Sequence, residues 1–232
     1  MVSLFVNFRT ALVAGVVAFS PCASALPAQA MVHGQVRLIE RPGETTSDLA
    51  NTVIHLETAA GGGATGAPVV AQISMQDRQF APRVEVVPLG SRVDFPNQDP
   101  FSHNVFSSTS VGAFDLGLYG RGRKKGWTFQ RPGVHAVYCN IHPRMAAYVV
   151  AVATPWYAKA GADGRFTLAN VPPGEYTMHV WHERSAPQAL ALVVPADGTV
   201  DAVNVQLDAR GYKPVAHRNK FGRPYPSSRD RY

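Results

Sequence analysis

Tyr138-Cys139-Asn140-Ile141-His142-Pro143-Arg144-Met145 packs a thiol, an imidazole and a thioether into one short run. The spacing Cys-x2-His-x2-Met follows a strand-like segment and has no regular period of its own. It is therefore expected to form a tight loop able to curl round a single ion. A second histidine, His103, stands 36 residues upstream in Asp99-Pro100-Phe101-Ser102-His103-Asn104, at the start of another strand-like run. Zinc closes structural sites with four Cys or His ligands and has little use for a thioether. Hard cations call for carboxylates, and the loop holds none. A soft sulfur with two imidazoles suits copper in both oxidation states, so one electron can come or go with little rearrangement. If Met145 fills the remaining position, no place is left for a substrate. The expectation is a mononuclear copper centre that transfers electrons, in a protein that is not an enzyme.

The setting sharpens that reading. The chain has two cysteines. The first, Cys22, falls in an N-terminal segment that reads as an export signal: Arg9, then the apolar run Ala11 to Phe19, then small residues. Cleavage is expected after Ala28-Gln29-Ala30, so residues 1–30 are the signal and the mature chain begins at Met31. Pro21 before Cys22 fits a lipid-anchor signal poorly. No other apolar run approaches membrane-spanning length. The expected location is the periplasm, where an unpaired thiol is a liability unless something occupies it. Cys139 is that thiol.

Other histidines take different readings. His135 lies four residues before Cys139 on one strand, about 13 Å away, too far to share the ion. His179 and His182 flank Trp181 and fall on opposite faces of a strand, so this pair is expected to pack or face solvent. Arg121, Arg123, Lys124 and Lys125 form a positive patch, read as a solvated loop that could steer an acidic partner. No additional paired histidine motif exists from which a trinuclear copper centre could be built.

The elements around these residues are strands. Alternating apolar residues separated by turn signals such as Pro88-Leu89-Gly90, Pro132-Gly133, Asp163-Gly164 and Pro172-Pro173-Gly174 predict an all-β fold of sandwich type. Strands are expected at Gln35–Leu38, Thr52–Leu56, Val69–Ile73, Val84–Val87, around Val93 and Phe95, at Val105–Phe106, Trp127–Phe129, Val134–Cys139 and Tyr148–Val152. Further strands should carry Phe166, Tyr176, Leu190 and Val203. Residues Ala59 to Pro68 have a linker's composition. From Ala209 onward, Arg210, Lys213, Arg218, Lys220, Arg223, Arg229 and Arg231 face only Asp230, which accounts for the net charge of +6. Residues 209–232 are expected to be a basic disordered tail that could touch anionic surfaces. Nucleic acid is not an expected partner.

The block of residues 67–152 resembles the cupredoxins of the plastocyanin and amicyanin type. The matching pieces are Phe80-Ala81-Pro82, Gly90 followed by Val93-Asp94-Phe95-Pro96-Asn97-Gln98-Asp99, His103-Asn104-Val105, and Gly133 followed by Val137-Tyr138-Cys139. The short ligand loop is most similar to that of amicyanins. The resemblance implies a Greek-key β-sandwich with His103, Cys139 and His142 as equatorial ligands and Met145 as axial ligand. It implies that Asn104 ties the two ligand loops together and that Pro100, Phe101 and Pro143 form an apolar rim for a redox partner.

The run from Asp163-Gly164-Arg165-Phe166 to Pro172-Pro173-Gly174-Glu175-Tyr176 resembles carboxypeptidase-regulatory-like, prealbumin-like sandwich modules. Their opening strands look like His33 to Val36 and Ala50 to Leu56, which here precede the cupredoxin block. Residues 31–66 and 153–208 are thus expected to form one sandwich with the cupredoxin block inserted in it. The whole arrangement is similar to the bacterial group called methylamine utilisation or plastocyanin-like proteins. The expected function is a periplasmic blue copper protein passing single electrons between redox partners such as a cytochrome or a dehydrogenase. The alternatives are a copper-binding and delivery protein with the same ligands, and a non-redox binding module.

Overall fold

The computed structural model describes residues 29–59, 65–196, 198–214 and 216–225. The expected signal segment lies outside them save for its last two residues. The chain is all-β, in sandwich arrangement. Its strands are β1 (Ala30–Ile39), β2 (Val53–Thr58), β3 (Val70–Gln72), β4 (Ser74–Gln76), β5 (Gln79–Ala81), β6 (Val84–Pro88), β7 (Arg92–Pro96) and β8 (His103–Ser107). They continue with β9 (Phe114–Tyr119), β10 (Lys124–Thr128), β11 (Gly133–Tyr138), β12 (Ala146–Val152), β13 (Tyr157–Lys159), β14 (Arg165–Val171), β15 (Gly174–Trp181), β16 (Gln188–Val194) and β17 (Val200–Asp208). No helix among the described residues is long and apolar enough to cross a membrane.

Two sheets enclose the first core. One runs β6-β12-β11-β8-β9 and the other β10-β7-β3. Between them are buried Ile73, Val93, Phe95, Val105, Phe129, Val137, Cys139, Met145 and Val149. Strand alternation divides β12 cleanly: Ala147, Val149 and Ala151 enter this core, while Val150 and Val152 face the other way. The strand at Phe114–Tyr119 was not anticipated from the sequence. Asp115, Gly117 and Tyr119 blur its alternation, yet Phe114 and Tyr119 are buried in the core.

A second pair of sheets, β14-β1-β17 and β13-β2-β15-β16, encloses the second core. Here early and late strands interleave. β1 lies between β14 and β17, antiparallel to the first and parallel to the second. β2 lies between β13 and β15, antiparallel to both. Val36, Ile54 and Leu56 share this core with Phe166, Tyr176, Met178 and Leu207. Val53 faces the opposite way, because Ile54 and Leu56 hold the inward positions on β2. It packs with Val84, Val86, Val150 and Val152, where the two halves meet. The Arg83 guanidinium bridges the same junction, reaching the buried Glu183 carboxylate at 2.5 and 2.7 Å.

The basic tail was expected to be a disordered arm, yet its described part is tied to the fold. Arg41 donates to the carbonyls of Arg210 and Tyr212. The His217 ring stacks on Tyr138 at 4.3 Å, and Tyr225 Oη donates to the Cys139 carbonyl at 2.7 Å. Lys220 Nζ reaches Asp115 at 2.6 Å. Composition weighed the tail's charges and prolines, whereas its aromatic and histidine side chains, its backbone carbonyls and Lys220 make specific contacts.

Candidate metal centre

Pairing between strands brings the sequence-predicted residues together. β11 and β12 form a hairpin whose last pair is Tyr138 with Ala146, so Cys139 and Met145 face each other across its mouth. The loop between them is closed by backbone bonds from Cys139 N to Met145 O, 3.3 Å, and from Met145 N to His142 O, 3.0 Å. β8 runs antiparallel to β11 with Phe106 opposite Tyr138. That register places His103, the first residue of β8, beside the loop that follows Cys139.

Three donor atoms converge there. Cys139 Sγ lies 3.7 Å from His103 Nδ1 and 3.5 Å from His142 Nδ1, and the two Nδ1 atoms are 3.1 Å apart. Nitrogen and sulfur ligands held roughly 2.0–2.3 Å from one first-row ion would be about 3.1–3.7 Å apart. The spacing and the donor set therefore fit a single transition ion. His103, Cys139 and Met145 are inaccessible to solvent, and His142 is partly exposed. Met145 is buried in the same core as Cys139.

The surroundings act on the thiol in two opposed ways, with burial the stronger. Burial pushes the Cys139 thiol above its ordinary value, while backbone N–H groups of Ile141, Asn104 and His142 act in the opposite direction. Those donors hydrogen-bond a thiolate, so a cation that neutralises it finds the rest of its environment already in place.

One residue of the site was missed by sequence reasoning. The Asp99 carboxylate lies 2.7 Å from His103 Nε2, the ring nitrogen on the far side from the cluster. It also accepts the backbone N–H groups of Asp77 and Arg78 at 2.7 and 3.0 Å. Burial raises the Asp99 carboxyl, but the Arg78, His103 and Asp77 hydrogen bonds outweigh it and hold the group below the usual carboxylate range. Asp77 and Arg78 both have positive φ, 54° and 56°, in the tight turn joining β4 to β5. Asp99 thus links that turn to His103. Its position four residues before a candidate ligand was the available signal, yet sequence alone gave it no partner. Asn97 supports the same loop, donating to the carbonyls of Phe101 and Tyr119 at 2.8 and 3.0 Å.

The expectation for Asn104 is corrected. Its side-chain amide donates to Asp115 on β9 at 2.6 Å, away from the Cys139–Met145 loop. The Asn140 side chain, the loop's own amide, accepts the backbone N–H of Lys220 from the tail. What joins Asn104 to the loop is its backbone N–H to the Cys139 sulfur.

Phe101 covers the two imidazoles, its ring centroid 5.2 Å from His103 and 5.7 Å from His142. Pro100 is exposed and Pro143 partly exposed, and Ile141 beside them is 39 % exposed. His135 is buried away from the cluster with Nε2 2.9 Å from the Arg131 carbonyl. His182 is buried against Asp48. Within the basic patch, Lys124 pairs with the buried Asp94 at 2.8 Å, and Lys125 donates to the Leu116 carbonyl.

No family model matches this chain, and no curated protein does. Several solved structures are similar to part of it. A purple cupredoxin from Nitrosopumilus maritimus is 23 % identical over 35 % of this chain and 99 % of its own, with a TM-score of 0.32. Amicyanin from Paracoccus versutus is 19 % identical over 42 % of this chain and 91 % of its own, at 0.34. A copper-containing nitrite reductase from Thermus scotoductus is 21 % identical over 50 % of this chain and 28 % of its own, at 0.35.

Proposed function

We propose that this chain is an exported blue copper protein that carries single electrons, with His103, Cys139 and His142 as equatorial ligands and Met145 as axial ligand. One observation carries the reading: a cysteine sulfur and two histidine nitrogens converge within 3.7 Å of one another. Copper held by one thiolate and two imidazoles supplies a one-electron couple. The chain's own residues would keep that couple rigid. The hairpin mouth sets Cys139 opposite Met145, Asp99 fixes the His103 ring from behind, and Phe101 restricts water. His142, partly exposed beside Ile141, Pro143 and Pro100, marks the side from which a redox protein would approach. The interleaved strands support reading residues 31–66 and 153–208 as one sandwich that hosts the copper block as an insertion.

The direct test is to load the protein with copper(II) and record its absorption and EPR spectra. An intense visible band from thiolate-to-copper charge transfer is expected, together with reversible voltammetry. A colourless copper(II) form with Cys139 intact would overturn the proposal. Ready transfer of copper to an apo-acceptor, without electron exchange with a cytochrome, would favour delivery instead.

Two substitutions probe the supporting residues. Asp99→Asn should weaken copper binding about 10–100-fold in competition with a chelator, because the ring of His103 loses its charged acceptor. Met145→Leu should leave copper bound and raise its midpoint potential, on the order of the 59 mV that marks a tenfold change in a one-electron couple. An unchanged potential would show that Met145 is not axial.

A further inference from the structure

A second group of metal-ligating side chains lies outside this centre, on the second sandwich. His55 on β2 is paired across the sheet with His179 on β15, and Glu57 follows two residues after His55 on the same face. The opposite face of both strands is accounted for: Ile54, Leu56, Met178 and Val180 are core residues. Alternation therefore leaves His55, Glu57 and His179 together on the other face. Val53 and Trp181 share that face one step along and pack against the copper block.

The three side chains are already arranged as ligands. The imidazoles stack with centroids 4.9 Å apart and planes 14° from parallel. His55 Nε2 lies 3.5 Å from Glu57 Oε1, and His179 Nε2 lies 3.4 Å from Glu57 Oε2. Two ligands bound roughly 2.0–2.2 Å from one tetrahedral ion are separated by about this much. One ligand atom from each residue falls within 4.8 Å of the others. Side-chain exposure rises from 15 % at His55 to 34 % at His179 and 51 % at Glu57, so the group opens to solvent on the carboxylate side.

We infer that His55, Glu57 and His179 form a second metal site, which takes a divalent first-row transition ion such as zinc. Two imidazoles and a carboxylate suit that class of ion and leave a fourth position open to water or an exogenous ligand. Among the described residues no acceptor stands behind His55 Nδ1. Metal-binding histidines usually rely on such a partner, so the ion should exchange readily and is not a folding staple. In the sequence the nearest histidine to His179 is His182, just past the end of β15; the partner the sheet provides is His55, on β2.

The site does not depend on the copper reading, and its test keeps the two apart. Zinc binding is measured by equilibrium dialysis of the untagged mature protein in a Cys139→Ala background, which removes the competing thiolate. One zinc per chain is expected, with affinity falling at least tenfold on adding His179→Gln or Glu57→Gln. The Glu57 side chain is exposed and that of His179 partly exposed, outside the core, so folding should survive and circular dichroism checks it. An unchanged isotherm in both substituted proteins, or no zinc bound in the Cys139→Ala background, would overturn the inference. Absence of copper at Cys139 would sink the proposed function and leave this result standing.

Discussion

Substituting Cys139 by Ser should abolish the intense visible absorption of the copper-loaded protein. Its copper affinity should fall by more than the roughly 10–100-fold that loss of a supporting hydrogen bond brings. A hydroxyl is a hard, neutral donor at any accessible pH, whereas a thiolate is soft and anionic. The backbone N–H groups of Ile141, Asn104 and His142 would then surround an uncharged oxygen. The side chain is close to isosteric and sits in a core that otherwise stays intact, so the loss should be specific to the metal. Absorption, EPR and chelator competition read the first effect, and circular dichroism checks the fold. A serine protein that kept the band would show that the colour does not come from this sulfur.

The second large effect is expected at Gly34, in the second sandwich. Gly34 lies on β1 between Phe166 of β14 and Val203 of β17. A Cβ there would come within 2.4 Å of Phe166 Cζ and 2.5 Å of the Val203 carbonyl oxygen. The ring could turn, but a backbone carbonyl held in a strand cannot. Gly34→Val should therefore destabilise the second sandwich by at least the about 1–3 kcal/mol typical of overpacking. Denaturant titration followed by tryptophan fluorescence would read it as a lower midpoint. The copper spectrum of the folded protein should not change, because the two cores share no residue. An unchanged midpoint would mean that β1 is not locked between these neighbours. A lost copper band in the folded protein would show that the two cores do not stand apart.

Much of this molecule is local and so could be read from the chain. Alternation of Val134 to Cys139 or Tyr148 to Val152 dictates strands, because each side chain must face either core or solvent. Cys139, His142 and Met145 stand within one loop, and only their spacing was needed to bring them near each other. His103 could be nominated from its residue type and its strand start. Its distance from Cys139, however, is set by the β8–β11 register.

The rest depended on which strands become neighbours, a property of the whole chain. Asp99 is an ordinary loop carboxylate until the β4–β5 turn and the His103 ring close on it. Asn104 had the type to bridge two loops, but β9, a strand with a poor pattern, offered Asp115 first. The tail's composition argued for disorder, while the Tyr138 ring and the Cys139 carbonyl supplied partners that no local rule contains. His55 and His179, 124 residues apart in the sequence, meet only because β2 pairs with β15. The sequence by itself determined the donor types, the all-β class and the tight loop that holds three of the four candidate ligands, because those follow from contacts between near neighbours. The tertiary structure alone decided the partners of Asp99, Asn104, His55 and the tail, because strand pairing across long stretches of chain chose them.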